Sequence, residues 1–157
     1  MWVNYSSLPS AYQVPLGRNT GAATDWYVVV NSGNQIGLAI NNGYTAATDY
    51  SLRTGWNHLV WTYDGSSTIN CYANGALVTS RNNAGVMTLD AAPLLLGQNP
   101  TGGQYFTGQM DELRLSNVAL PANYVAAVYA NESNPNSFYA LNFPIPGAIA
   151  TGKAILW

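Results

Sequence analysis

The sequence predicts an all-β protein, an antiparallel β-sandwich with one short helix near the carboxyl end of the chain. Two observations carry this prediction. Short runs rich in Val, Ile, Tyr and Trp alternate with polar residues and are bounded by Gly, Asn, Asp and Pro, which is typical of strands. One segment has the apolar spacing of an amphipathic helix. The length of 157 residues fits a single domain.

The predicted strands follow one another at short intervals from the first residue. In chain order they cover residues 1–5, 12–17, 25–30, 35–40, 56–63, 68–73, 76–80, 94–98, 105–110 and 112–116. The strongest turn signal is Asn74-Gly75, because a type I′ turn needs positive φ at both central residues. Asn42-Gly43 and Asp64-Gly65 indicate further turns. Residues 41–50 and 98–105 are predicted as polar loops between strands.

The helix is predicted over residues 121–130. It begins at a proline, whose missing N–H costs nothing at a helix start, and we expect it to end at Asn131. Tyr124, Val125, Val128 and Tyr129 share one face of it. Residues 137–157 are rich in Pro and Gly, which leaves two alternatives, a linker to another domain or a strand that returns to the sandwich.

Composition excludes several classes of function. Five Lys and Arg residues and a net charge of −2 cannot supply the phosphate contacts of a nucleic-acid-binding protein. No window approaches the roughly 18 consecutive apolar residues of a membrane helix, so we expect no membrane insertion. A single cysteine, Cys71, and a single histidine, His58, exclude an internal disulfide and a Cys/His zinc site.

Two segments resemble a known family. The first is GWNHLVWTYDG at 55–65, followed by INCYANG at 69–75. The second is LLLG at 94–97 with FTGQMDELRLSNVAL at 106–120, and the start MWVN is similar to a further strand of the same family. Together they resemble the laminin-G-like, concanavalin A-like lectin/glucanase domains of bacterial or archaeal surface proteins.

The resemblance implies a concanavalin A-like jelly roll over residues 1–136, with 137–157 as a C-terminal tail. Family members carry additional residues before the strand that MWVN resembles, which leaves three alternatives for the missing N-terminal strands: the chain is a fragment, the tail fills their place, or another chain does. If no strand takes the place of the missing ones, the sheet has an open edge, which favours strand pairing between molecules. The run 131–139 is similar to the stretch that follows this domain in large surface proteins, which implies a module of an extracellular or cell-surface protein.

The carboxylates do not fit catalysis. Hydrolases of this fold place carboxylates two and four positions apart on one strand, where they share a face. The seven acidic residues are Asp25, Asp49, Asp64, Asp90, Asp111, Glu112 and Glu132, and no two have that spacing. We therefore expect no enzymatic activity. His58 is interpreted as a hydrogen-bonded core or rim residue and Cys71 as a buried apolar residue.

Candidate binding residues come from the resemblance and from the loops. The resemblance implies structural Ca²⁺ at Asp111, completed by backbone oxygens such as that of Gln109; the alternative is a carboxylate paired with Arg114 or with backbone N–H groups. Sugar binding needs aromatic faces and polar groups side by side. The candidates in the two loops are Tyr44, Asp49, Tyr50 and Tyr105, against the alternative that these tyrosines only pack on the rim. Trp2, Trp56 and Trp61 are predicted in the core.

The sequence therefore predicts a non-catalytic recognition module of a secreted or cell-surface protein. Its expected partner is a carbohydrate or glycoprotein, bound through rim loops. The alternative is a structural or assembly module that forms homo-oligomers through an open sheet edge.

Overall fold

The computed structural model describes residues 1–18, 25–41, 43–82, 85–89 and 91–135, with the backbone alone at 44–49. These residues form ten strands and one helix. They are β1 (Trp2–Tyr5), β2 (Gln13–Arg18), β3 (Trp26–Val30), β4 (Gln35–Ile40), β5 (Gly43–Ser51), β6 (Gly55–Tyr63), β7 (Ile69–Ala73), β8 (Ala76–Arg81), β9 (Leu95–Leu96), β10 (Gln109–Asp111) and α1 (Ala122–Ser133). The predicted tail, 137–157, lies outside the described residues.

The strands form two five-stranded sheets. The first sheet has the order β10-β1-β6-β7-β8, and the second has the order β5-β4-β3-β2-β9. Neighbouring strands are antiparallel in both sheets. The predicted antiparallel β-sandwich with one C-terminal helix is confirmed.

Alternation along the strands separates the core from the outer face of each sheet. On β1, Val3 and Tyr5 point between the sheets and are fully buried, while Trp2 and Asn4 lie on the opposite, outer face. The side chains between the sheets that form the core include Val28, Val30, Ile36, Leu38, Ile40, Leu59, Ile69 and Cys71. Burial raises the pKa of the Cys71 thiol to about 12, which confirms that this cysteine is an apolar core residue.

The turn between β7 and β8 has the predicted geometry. Asn74 and Gly75 have φ of 49° and 79°, the left-handed values that a type I′ turn requires. The Asn74 side chain accepts a hydrogen bond from the backbone N–H of His58 at 2.9 Å, so the turn is also tied to β6. A Cβ added at Gly75 would lie 2.8 Å from Cδ1 of Tyr129, because helix α1 packs against this turn.

Three local predictions were wrong. Residues 43–51 form strand β5 and not a loop, because Asn41 takes a left-handed φ of 49° and the chain turns straight back along β4. Residues 112–116 form no strand, since Glu112 has a φ of 48° and interrupts the extended backbone after β10. The helix ends at Ser133, two residues beyond the expected end.

Trp2 and Trp56, both predicted in the core, lie on the outer face of the first sheet. Trp2 is half-buried beneath helix α1, and Trp56 lies opposite Asn4 and is 48% exposed. The sequence showed that Trp56 and His58 share a face of β6, but alternation alone does not say whether that face is the inner or the outer one.

The first sheet is open along part of β6. Strand β1 pairs with the first half of β6 only, from Gly55 to His58, and among the described residues no strand lies on that side of the stretch 60–63. A cavity of about 1070 Å³ opens there between the two sheets. Its lining includes Leu16 and Leu38 of the second sheet and Trp61 of β6. This unpaired stretch is an open edge in the part of the chain that the structure describes. That absent N-terminal strands leave such an edge stays a prediction.

Candidate functional site

Two exposed tyrosines lie on hydrogen-bonded segments at one end of the second sheet. Tyr105 is 65% exposed and Tyr12 is 47% exposed. The backbone N–H of Val14 donates to the Gln104 carbonyl at 2.9 Å, and the N–H of Thr107 donates to the Gln13 side chain at 3.2 Å. These bonds bring the segment around Tyr105 against the start of β2, next to Tyr12. We call Tyr12, Gln13, Asn99, Gln104 and Tyr105 the rim site.

The loop that carries Tyr105 is held by its own hydrogen bonds. Asn99 Oδ1 accepts bonds from the backbone N–H and the hydroxyl of Thr101, at 3.0 and 2.9 Å. Asn99 Nδ2 donates to Gln104 Oε1 at 2.7 Å, and the Asn99 N–H donates to the Gly103 carbonyl. Gln104 has a φ of 49°, so the chain turns sharply just before Tyr105. The loop is thus fixed before any ligand arrives, which lowers the entropy lost on binding.

Phe106 explains why Tyr105 points outward. The Phe106 ring packs against Tyr5 in the core, with ring centres 5.3 Å apart in an edge-to-face arrangement. In extended backbone, successive side chains point to opposite sides. The anchoring of Phe106 therefore directs Tyr105 into solvent.

The structure does not assemble the four predicted sugar-binding residues into one site. Tyr44 lies near the start of β5 and Tyr50 near its end, and of the side chains of Tyr44 and Asp49 nothing is described. Both remain predictions. Of the two predicted tyrosines whose side chains are described, Tyr105 has an exposed aromatic face and Tyr50 is half-buried.

Tyr50 belongs to a polar network between the sheets. Its hydroxyl donates to Asn57 Oδ1 at 2.6 Å and accepts a bond from Asn74 Nδ2 at 3.2 Å. Asn57 is buried and donates to the carbonyls of Arg53 and Gly55. Burial raises the pKa of the Tyr50 hydroxyl. The Tyr50 hydroxyl thus joins β5 to the first sheet and has its hydrogen bonds satisfied within the protein.

His58 lies under helix α1 on the outer face of the first sheet. It is buried between Trp2 and Tyr129, with ring centres at 5.0 and 5.9 Å. The Glu132 carboxylate belongs to the same cluster. It accepts a hydrogen bond from Trp2 Nε1 at 2.7 Å and forms an ion pair with Arg114 at 2.7 Å. Burial, reinforced by the nearby amino terminus and opposed by Glu132, lowers the pKa of His58 to about 4. The histidine is thus buried beneath the helix, as predicted. Its predicted side-chain hydrogen bond was wrong for the described residues, since Nδ1 has no hydrogen-bond partner and Nε2 lies 3.9 Å from the Glu132 carboxylate.

A family model described as "Concanavalin A-like lectin/glucanases superfamily" matches residues 1–126. The chain belongs to this superfamily. No curated protein matches it. In the described residues, no helix has the length and apolar character needed to cross a membrane.

Solved structures share the concanavalin A-like fold. A heptameric SAP-like pentraxin from Limulus polyphemus is 19% identical, with a TM-score of 0.60 over 82% of this chain and 66% of the pentraxin chain. The CBM40 of Ruminococcus gnavus IT-sialidase, bound to alpha2,3 sialyllactose, is 14% identical, with a TM-score of 0.66 over 82% of this chain and 79% of that chain. Domain 4 of AbnA, a GH43 extracellular arabinanase from Geobacillus stearothermophilus in complex with arabinotriose, is 24% identical, with a TM-score of 0.63.

The match to the arabinanase domain covers 82% of this chain and 63% of that domain. The chain thus spans less than two thirds of the pentraxin and of the arabinanase domain. At these identities the comparisons show the fold that is shared with these proteins.

Asp111 lies on β10, opposite Trp2, with an exposed side chain. Its Oδ1 accepts a hydrogen bond from the backbone N–H of Glu112 at 2.8 Å, and Glu112 itself pairs with Arg114 at 2.6 Å. Throughout the described ranges, no three His, Cys, Asp or Glu side chains come together as a metal site would need. One carboxylate with backbone oxygens is a partial shell for an ion that takes six to eight oxygens. Calcium at Asp111 stays a prediction.

Two exposed aromatic residues, Tyr12 and Trp56, were not among the predicted binding residues. Tyr12 immediately precedes β2, and the sequence pattern assigned it to the strand with the apolar residues that follow. Trp56 was assigned to the core. The exposure of Trp56 could have been inferred from its position opposite the polar Asn4 of β1. That inference needs the register between β1 and β6, which the sequence alone does not give.

Proposed function

We propose that this chain is a non-catalytic recognition module of a secreted or cell-surface protein and that it binds carbohydrate through the rim site. The observation that carries the proposal is the exposure of Tyr105 on a loop fixed by hydrogen bonds. Proteins of similar structure include a CBM40 domain bound to alpha2,3 sialyllactose and an arabinanase domain in complex with arabinotriose, which supports a carbohydrate ligand.

The rim site has the chemistry that a sugar requires. The faces of Tyr105 and Tyr12 offer apolar surface for the C–H groups of a pyranose ring. The amides of Gln13, Asn99 and Gln104 lie beside them and can exchange hydrogen bonds with sugar hydroxyls. A few polar groups placed against an aromatic surface are what fixes the orientation of a small ligand.

The positions of the glutamates support a non-catalytic role. Glu112 and Glu132 both bind the guanidinium of Arg114, at 2.6 and 2.7 Å, and Glu132 also accepts a bond from Trp2. These partners occupy the carboxylate oxygens that a glycoside hydrolase needs for its acid and its nucleophile or base. The loop 98–105 contains no carboxylate, histidine or cysteine.

A glycan array tests the proposal. The wild-type protein is applied once with millimolar calcium and once with chelator, beside Tyr105→Ala and the control Tyr124→Ala. Tyr124 is also half exposed, but it lies on helix α1. We expect binding to a defined glycan by the wild type and the control, and a loss in Tyr105→Ala. Equal binding by both variants would reject the rim site, and a loss with chelator would support the calcium prediction.

A second function is favoured by the open edge of the first sheet. Leu113, Leu115 and Val118 line the cavity beside β6 and are well exposed, with Leu115 at 60% and Val118 at 64%. An exposed sheet edge beside an apolar surface pairs readily with a strand of another chain. The alternative proposal is therefore an assembly module that forms homo-oligomers through this edge.

A further inference from the structure

An aromatic side chain stands exposed on the outer face of the first sheet. Trp56 lies on β6, the central strand, yet 48% of its surface is in contact with solvent. It points away from the core, since the adjacent Asn57 is buried between the sheets. The large apolar surface of its indole gains free energy when a ligand packs on it.

The strand register places two amides beside this tryptophan. Asn4 of β1 is directly opposite Trp56, and Gln109 of β10 is directly opposite Asn4. Direct cross-strand neighbours share a face, so the three side chains form a row across the sheet. We call Trp56, Asn4 and Gln109 the outer-face row. Three strands at the usual spacing give it a length of about 10 Å, close to that of two pyranose rings.

The amides of the row are fixed and keep hydrogen-bonding capacity. Asn4 Nδ2 donates to Gln109 Oε1 at 2.8 Å, which orients both groups. Within the described part of the chain, Asn4 Oδ1 and Gln109 Nε2 have no further partner. One acceptor and one donor therefore remain beside the indole, an arrangement that suits the neighbouring hydroxyls of a sugar.

Helix α1 covers the next row and leaves this one open. Two residues away on each strand, a second row on the same face consists of Asp111, Trp2 and His58. Tyr129 of the helix stacks on Trp2 with ring centres 5.8 Å apart, and Glu132 bonds to the Trp2 indole. The partner of the covered row is thus the helix, while the outer-face row faces solvent.

We infer that the outer-face row is a second glycan-binding surface, one that takes an extended polysaccharide. Pyranoses with equatorial hydroxyls present flat C–H faces that stack on the Trp56 indole, and their hydroxyls reach Asn4 and Gln109. A flat sheet surface suits an extended chain, because it does not enclose the ligand at either end. The inference rests on the proposed carbohydrate-binding function, but it uses none of the residues of the rim site.

Affinity gel electrophoresis tests the inference with soluble xylan and hydroxyethylcellulose in the gel. The proteins are the wild type, Trp56→Ala, Trp56→Phe, Asn4→Ala, the rim-site variant Tyr105→Ala and the control Leu77→Ala, a substitution at an exposed apolar residue of β8. We expect one of these polysaccharides to retard the wild type and the control. Trp56→Ala is expected to weaken binding about tenfold, with a smaller loss in Trp56→Phe. Circular dichroism establishes that each variant is folded.

The outcomes separate this inference from the proposed function. Retardation that is equal in the wild type and in Trp56→Ala, or no retardation of the folded wild type by either polysaccharide, would overturn the outer-face row. In both cases the loss of array binding in Tyr105→Ala would still stand as evidence for the rim site. Loss of retardation in Trp56→Ala but not in Tyr105→Ala would establish two separate surfaces.

Discussion

At the residue scale, the burial of His58 makes the stability of the fold depend on pH. In the unfolded chain its pKa is about 6.5, and burial beneath Trp2 and Tyr129 lowers it to about 4. Between these two values the unfolded state binds more protons than the folded state, so stability falls as the pH drops from about 6.5 to about 4. The charged groups that face His58 are Glu132, Arg114 and the amino terminus.

Replacing His58 with Gln removes this titration. The wild type should lose about 2 kcal/mol more than His58→Gln between pH 6.5 and pH 4, because burial disfavours the protonated imidazole more than Glu132 favours it. Urea denaturation at half-unit pH intervals measures the difference, and the variant serves as the control for carboxylates that titrate in the same range. Parallel stability curves for the two proteins would contradict the burial of a neutral His58.

The same scale shows what sequence reasoning could find in the rim site. Tyr105 was predicted because an aromatic residue in a loop rich in Gly, Asn and Gln indicates a binding surface. Tyr12 was missed because its exposure depends on the contact between β2 and the loop 98–105, two segments far apart in the chain. Tyr50 has the same local signal as Tyr105, but its hydroxyl is hydrogen-bonded to Asn57 of β6 and to Asn74 of the β7–β8 turn, both outside the local sequence pattern.

At the scale of elements, the docking of helix α1 depends on the β7–β8 turn. Gly75 has a positive φ, and its missing Cβ leaves room for the ring and Cβ of Tyr129. The apolar face of the helix was predicted, and Val125 on that face is 1% exposed. The surface that this face covers could not be predicted, because the first sheet contributes it from three separate parts of the chain.

Gly75→Ala tests this contact against a matched substitution. Gly65 has a similar φ of 87°, but an added Cβ there would meet nothing within 4 Å. Gly65→Ala should cost about 1 kcal/mol for the left-handed backbone alone. Gly75→Ala should cost about 3 kcal/mol, since it also forces Tyr129 out of place. If chemical denaturation gives equal losses, the helix does not pack on the turn.

Strand prediction from the sequence was wrong where the presence of a neighbouring strand decides whether a segment is extended and paired. Residues 112–116 have a strand-like composition, but a strand forms only with a neighbour to bond to, and β1 offers partners to β10 as far as Trp2. Residues 43–51 were taken for a loop because of their polar side chains, yet the turn at Asn41 places them along β4. By contrast, the Asn74-Gly75 turn was predicted correctly because its determinants lie within two residues.

At the scale of the whole molecule, the open edge decides between a discrete binding module and an assembly module. The described part of the chain leaves β6 unpaired on one side at 60–63, beside the cavity between the sheets. The resemblance predicts an open edge from the strands that family members carry before MWVN, and that such strands are missing here stays a prediction.

Light scattering after gel filtration tests the assembly function. If the edge assembles the protein, the wild type should increase in mass with concentration, and Leu115→Lys should remain monomeric because a charge beside the edge opposes strand pairing. Leu77→Lys is the control, as Leu77 is 54% exposed on β8, away from the cavity. A wild type that stays monomeric at every concentration would reject the assembly function and leave the recognition function.

Carbohydrate recognition at the rim site is the central claim, and calorimetric titration tests it most directly. The glycan that binds best on the array is titrated into the wild type, Tyr105→Ala and Tyr124→Ala. Loss of one stacked aromatic face predicts a dissociation constant about tenfold higher for Tyr105→Ala, with the wild type and Tyr124→Ala equal. Equal constants for all three proteins, or no heat of binding with the folded wild type, would contradict the claim.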